Sequence, residues 1–166
     1  MPLILRKIRR SKWYKHEGVA WLQAGELQAD ILVDLKTEDN WMSVWLVEDD
    51  KSNLDDLLSA LAATCAVLSN LDYATLAEDI VSAVGVKIVQ TEGDTPNKDV
   101  NKWHHDLVEL SVSKVVGLAK AILTSGETKR VQPRQILRLI ARAVESGKID
   151  ATKLSEDIRA KLEKLN

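Results

Sequence analysis

Apolar and polar positions along the chain change period several times, and the changes mark out its elements. Ile31-Leu32-Val33-Asp34-Leu35 and Trp41-Met42-Ser43-Val44-Trp45-Leu46-Val47 are rich in β-branched and aromatic residues and flank the polar Lys36-Thr37-Glu38-Asp39-Asn40. That is the pattern of two strands and a turn, although Asp30–Leu35 also admits a single helical turn. In the second run Met42, Val44 and Leu46 share one face, and Trp41, Ser43, Trp45 and Val47 share the other, so both faces have material to bury.

From Ser52 the period becomes helical. Ser52 or Asn53 stands as a cap, Asp55 and Asp56 occupy the first turn, and Leu54, Leu57, Leu58, Leu61, Cys65 and Leu68 form one stripe, predicting a helix to about Ser69. A second helix is expected over Asp72–Val84, stopped by Gly85, followed by a short strand Val86–Gln90. Thr95 and Pro96 then read as the cap and first residue of a long helix from Asn97 to Thr124, about 42 Å at 1.5 Å per residue. Gly117 within it suits a close crossing with a neighbour. Pro133 to Ser146 and Ala151 to Leu165, separated by Gly147 and Asp150, read as a helical hairpin with apolar positions three and four apart.

These elements predict an α+β fold that is predominantly helical, with a small antiparallel or mixed sheet covered by helices and a C-terminal helical hairpin. Residues 1–126 form the expected α+β core domain with a basic N-terminal arm. Residues 127–166 form a hairpin too small for its own core, which must pack on the core domain, on a second copy or on a partner.

Charge sharpens this picture. The chain has 166 residues, 45% hydrophobic and 29% charged, with 23 Lys and Arg against 25 Asp and Glu. This excludes a disordered chain, and no apolar run reaches the roughly 20 residues of a membrane-spanning helix. The net charge of -2 is unevenly spread: residues 1–15 carry six basic residues and no acid, residues 16–126 seven basic and nineteen acidic, residues 127–166 ten basic and six acidic. The acidic middle is the first partner available to the basic ends, ahead of an external polyanion. The single Cys65, inside an apolar run, reads as a buried small hydrophobe, and with a start unlike a secretory signal it suggests a cytoplasmic protein.

Several residues carry possible chemistry. Arg6, Lys7, Arg9, Arg10, Trp13 and Tyr14 mix cations with aromatics, the composition of a nucleic-acid or partner contact, or of a strand or arm tied to the acidic middle. Arg134, Arg138 and Arg142 form a row on one helix face, but the following turn carries no helix-turn-helix signature. His105 and Glu109 are spaced to share a metal on a helix, although two ligands do not make a centre. Asp34 with Asp49-x-Lys51 formally resembles the short Asp…(Asp/Glu)-x-Lys pattern of restriction-type nucleases. That pattern is too degenerate to identify a family, and Glu48, Asp49 and Asp50 have a plainer place before a helix N-terminus. There is no Gly-x-Gly-x-x-Gly, phosphate loop or Gly-x-Ser-x-Gly, so no cofactor is expected and no catalytic or metal residue is assigned.

The expected function is therefore non-enzymatic: binding of another macromolecule, most simply a protein, or self-association through the C-terminal hairpin. The alternatives are nucleic-acid binding through the basic ends and a metal-dependent, nuclease-like hydrolase. Of the seven aromatics, five Trp and two Tyr, four Trp lie in the first 45 residues. The open question is whether Trp41 and Trp45 are core or contact surface.

Overall fold

The computed structural model describes residues 2–14 and 19–165, with the backbone alone for Arg10 and Tyr14. Its centre is a six-stranded, wholly antiparallel sheet. The strands are β1 (Leu3–Ile8), β2 (Met42–Val47), β3 (Leu71–Ala77), β4 (Lys87–Gln90), β5 (His104–Val108) and β6 (Glu127–Val131), in the spatial order β4-β5-β2-β1-β3-β6. Among the described residues seven α-helices cover it: α1 (Arg10–Tyr14), α2 (Ala29–Asp34), α3 (Leu54–Ala63), α4 (Glu78–Ala83), α5 (Val112–Ser125), α6 (Pro133–Glu145) and α7 (Glu156–Glu163).

Alternation of side chains along each strand divides the interior into two layers. Leu5, Trp45, Val47, Leu71 and Tyr73 face α3, α6 and α7, where they meet Leu57, Ile136, Ile140 and Ile158. Ile4, Ile8, Met42, Val44, Ala74 and Leu76 face the opposite layer, with Trp13 of α1, Ile31 of α2, Val81 of α4 and Leu118 and Ile122 of α5. From Met42 to Val47 the two-faced pattern is thus a strand packed on both sides, with Trp41 just outside it.

The expectation of a predominantly helical fold with a small sheet is corrected: about 44% helix stands beside 22% strand in a six-stranded sheet. The basic start is a central strand. Ile31–Leu35 lies in the helical α2 and C-cap, so the hairpin with residues 41–47 does not form, and β2 pairs with β1 and β5 instead. The expected helix over 72–84 is β3 followed by the six-residue α4, and the expected long helix is a 3-10 turn (Lys98–Trp103), β5 and then α5. In both places three- and four-residue spacings imitate a helix. β3 is buried between β1 and β6, and β5 lies between β4 and β2, so pairing with distant segments overrides local preference.

Other boundaries move for identifiable reasons. α3 ends at Ala63, and Asn53 does not cap it: its side chain accepts from Glu48 N and donates to Leu46 O, both at 3.0 Å, tying the exit of β2 to the helix start. Cys65 therefore lies past the helix, half-buried, with its sulfur 3.4 Å from Lys7 Nζ, and is not the enclosed hydrophobe its neighbours suggested. Asp150 caps a short 3-10 turn (Ala151–Lys153), and Ser155 caps α7. Gly117 of α5 lies so close to α4 that a Cβ there would stand 2.7 Å from Val84 Cγ1.

α6 packs on α3, and Ile136, Leu137 and Ile140 share a core with Leu5 and Val47. No helix among the described residues is long and apolar enough to cross a membrane.

Candidate nucleic-acid interface

The sheet is not continuous along its length. β1 pairs with β2 only at Leu3, Ile4 and Leu5, opposite Val47, Leu46 and Trp45, although β1 continues along β3 to Ile8↔Asp72 and β2 continues along β5 to Met42↔Leu107. Beyond Leu5 and Trp45 the two central strands part. Arg6 stands at the parting: its Nη1 donates to Ser43 O at 2.7 Å and its Nη2 to Lys36 O at 3.2 Å. Burial holds this guanidinium below its ordinary pKa range, with the charge of Asp34 opposing the shift. Its Nε is buried without a hydrogen-bond partner.

A cleft of about 440 Å³ opens here, lined by Arg6, Lys7, Ile8, Arg9 and Lys12 from the first segment and by Asp30, Val33, Asp34 and Lys36 around α2. Five cations thus meet two carboxylates, and both carboxylates are committed. Asp30 pairs with Lys12. Asp34 Oδ2 accepts from Arg9 N and from Trp13 Nε1, each at 2.7 Å, which fixes the short α1 against α2 and buries the Trp13 indole. Lys7, Arg9 and Lys36 are exposed, and among the described residues none of the three has a carboxylate within salt-bridge distance.

Of the six contact residues expected from the sequence, Arg6, Lys7 and Arg9 line one cleft, and Trp13 is a core anchor behind it. The side chains of Arg10 and Tyr14 lie outside the described residues. Lys36 was missed because it reads as an ordinary turn residue; its place in the site depends on α2 returning to the end of β1. Arg6 plays a second part unforeseen from its charge, as the clamp between β1 and β2.

Other candidates disperse. Asp34 binds Arg9 N beyond the Ile8 end of β1, whereas Asp49 and Lys51 follow Val47, which pairs with Leu3 at the opposite end. The five steps of strand between those ends span roughly 17 Å, so the three residues do not converge. Lys51 instead closes a tight turn, with φ of 58° and its N–H on Glu48 O. His104 and His105 lie on β5, where adjacent side chains point to opposite faces, and Glu109 is past the strand with its carboxylate 3.6 Å from Lys87. The helical spacing of His105 and Glu109 is therefore absent, and no group of three or more His, Cys, Asp or Glu among the described residues could hold a metal ion.

Part of the basic C-terminal segment is spent internally. Arg142 reaches Asp55 at 3.3 Å, Lys148 reaches Asp56 at 2.7 Å, Lys161 reaches Asp157 at 2.7 Å, and Arg130 forms a two-pronged pair with Asp72 at 2.7 and 2.9 Å. Trp45 is core, 7% exposed with its ring edge-on to His104, whereas Trp41 is 52% exposed.

A polar chain invisible in the sequence runs across β2, β5 and the residue after β4. Ser43 Oγ donates to Asp106 at 3.1 Å, and Thr91 Oγ1 lies 2.8 Å from both Asp106 Oδ2 and His104 Nδ1. No family model, curated protein or solved structure matches the chain.

Proposed function

We propose that this protein binds nucleic acid through the sugar-phosphate backbone, in the cleft where β1 and β2 part. The observation that carries the reading is the charge inventory of that cleft: Lys7, Arg9 and Lys36 are exposed around one opening, while Asp30 and Asp34 are engaged by Lys12, Arg9 N and Trp13. Phosphates are the anions that such a ring of separate cations suits, because each neutralised phosphate releases a counterion. Four of the ten C-terminal cations, Arg130, Arg142, Lys148 and Lys161, are instead paired with Asp72, Asp55, Asp56 and Asp157. The apolar faces of α6 and α7 pack on α3 and the sheet.

The test is fluorescence anisotropy with a labelled oligonucleotide over a range of salt. Three phosphate contacts imply a slope of log K on log salt of about -2 to -3. Arg9→Glu with Lys36→Glu should abolish binding while leaving the melting temperature unchanged, since both side chains are exposed. A wild type that does not bind at low salt, or a charge-reversed variant that binds equally well, overturns the reading.

A further inference from the structure

We infer that the nucleic acid is single-stranded and that Trp41 is the residue that selects it, an inference that rests on the phosphate-binding reading of the cleft. The segment from Lys36 to Ser43 is held at both ends by one side chain, since Arg6 donates to Lys36 O and to Ser43 O. Between those grips, Glu38 N donates to Trp41 O at 3.0 Å and Trp41 N to Glu38 O at 2.8 Å. Asp39 and Asn40 take φ of 50° and 64°. That is a two-residue hairpin turn with both central residues left-handed, where Asp and Asn are the non-glycine residues best tolerated. Asn40 O accepts from Leu110 N at 3.0 Å, pinning the turn at a third point.

The turn thus presents the Trp41 indole from a fixed backbone. Trp13 and Trp45 are buried at 3% and 7% exposure, each with its ring engaged by Asp34 or His104, whereas Trp41 is 52% exposed. The same clamped segment supplies Lys36 to the cleft. Two residues of chain and one paired step separate Lys36 from Trp41, so their Cα atoms lie within about 12 Å. A cation and an aromatic face at such spacing on a preorganised turn suit a strand whose phosphate meets Lys36 while a neighbouring base stacks on Trp41. A duplex offers the phosphate but keeps its base faces stacked on one another, so it gains from the cations alone.

The full chain is titrated into labelled oligothymidylate of about 12 nucleotides and, separately, into a mixed-sequence duplex of the same length, at matched low salt. Single strand should bind at least about tenfold more tightly than duplex, and Trp41→Ala should weaken single-strand binding about tenfold or more. The same variant should leave duplex affinity and the salt slope as they are, and should remove the quenching of indole emission that accompanies binding. Arg9→Glu with Lys36→Glu should weaken both ligands together. Equal affinity for strand and duplex, or wild-type binding of the single strand by Trp41→Ala, overturns the role of Trp41 and leaves phosphate binding standing. Failure of the wild type to bind either ligand removes both.

Discussion

The Arg6 guanidinium and the Ser43 carbonyl, 2.7 Å apart, join β1 and β2 where their ladder has stopped. A side chain does there what backbone groups do one pair earlier, and its second prong fixes Lys36 O. Such charge-assisted bonds are worth about 1.5–3 kcal/mol each when a carbonyl would otherwise go unpaired. Arg6→Ala should therefore cost about 2–4 kcal/mol, after discounting for water reaching the vacated carbonyls. Arg6→Lys should recover only part, because an ammonium cannot span two carbonyls as a planar fork does. Urea denaturation gives the measurement, and a midpoint within error of wild type for Arg6→Ala would mean that the sheet closes without the clamp.

Asp34 takes two donors on one oxygen, Arg9 N and Trp13 Nε1. Removing it leaves the indole N–H of a buried Trp and a backbone N–H to find other partners. Asp34→Ala should cost about 2–3 kcal/mol, whereas Asp34→Asn, which keeps an acceptor oxygen of the same reach, should cost about 1 kcal/mol. Tryptophan emission separates the two: loosening of α1 exposes Trp13 and shifts the spectrum to the red in Asp34→Ala. Equal losses in the two variants would show that charge, and not the acceptor, is what Asp34 contributes.

What the sequence made legible follows from which interactions are local. α6 is marked at both ends by Pro133 and Gly147, the latter at φ of 73°, and its boundaries match the expectation closely. The stop at Gly85, φ of 77°, is equally local. β3 and β5 were illegible because a strand buried between two others has no required alternation of polar and apolar residues, and its partners are far along the chain: Asp72 finds Arg130. The cations of the cleft were visible as composition. Their gathering with Lys36 and the separation of Asp34 from Asp49 depend on strand order, which no local pattern encodes.

Gly93 lies where the loop after β4 crosses the Trp45 ring. A Cβ at this position would stand 2.7 Å from Trp45 Cη2 and 3.0 Å from both Asn101 Oδ1 and His104 Cβ. None of these neighbours moves cheaply: Trp45 is core, and Asn101 Oδ1 accepts from Thr95 N and Oγ1 inside a buried polar network. Gly93→Ala should destabilise by about 1–3 kcal/mol through overpacking. Thermal denaturation checks it, and near-ultraviolet circular dichroism should lose part of the Trp45 signal at the same time. Unchanged stability would place the loop farther from the ring than the structure has it.

His104 makes stability depend on pH in a direction that its surroundings fix. Burial beside Trp45 lowers its pKa from the ordinary 6.5, the nearby Asp106 opposes the shift, and His105 adds to it. Thr91 has one hydroxyl proton, and a carboxylate only accepts, so Thr91 donates to Asp106 and His104 donates through Nδ1–H to Thr91. The neutral ring therefore carries its proton on Nδ1. Because the folded pKa lies below the unfolded one, the unfolded chain binds more protons between the two values. The contribution of His104 to stability is complete above about pH 6.5 and is lost as pH falls toward the folded pKa. The melting temperature should decline from about pH 7 to pH 5, ahead of the lower range in which Asp150 and Asp157, whose carboxyls are held below their ordinary value, begin to matter. His104→Gln should start from a lower melting temperature at pH 7 and show a flatter decline over that interval, and nitrogen-15 chemical shifts should report the Nδ1–H tautomer in the wild type. Parallel pH profiles for the two proteins would assign the titration to another group.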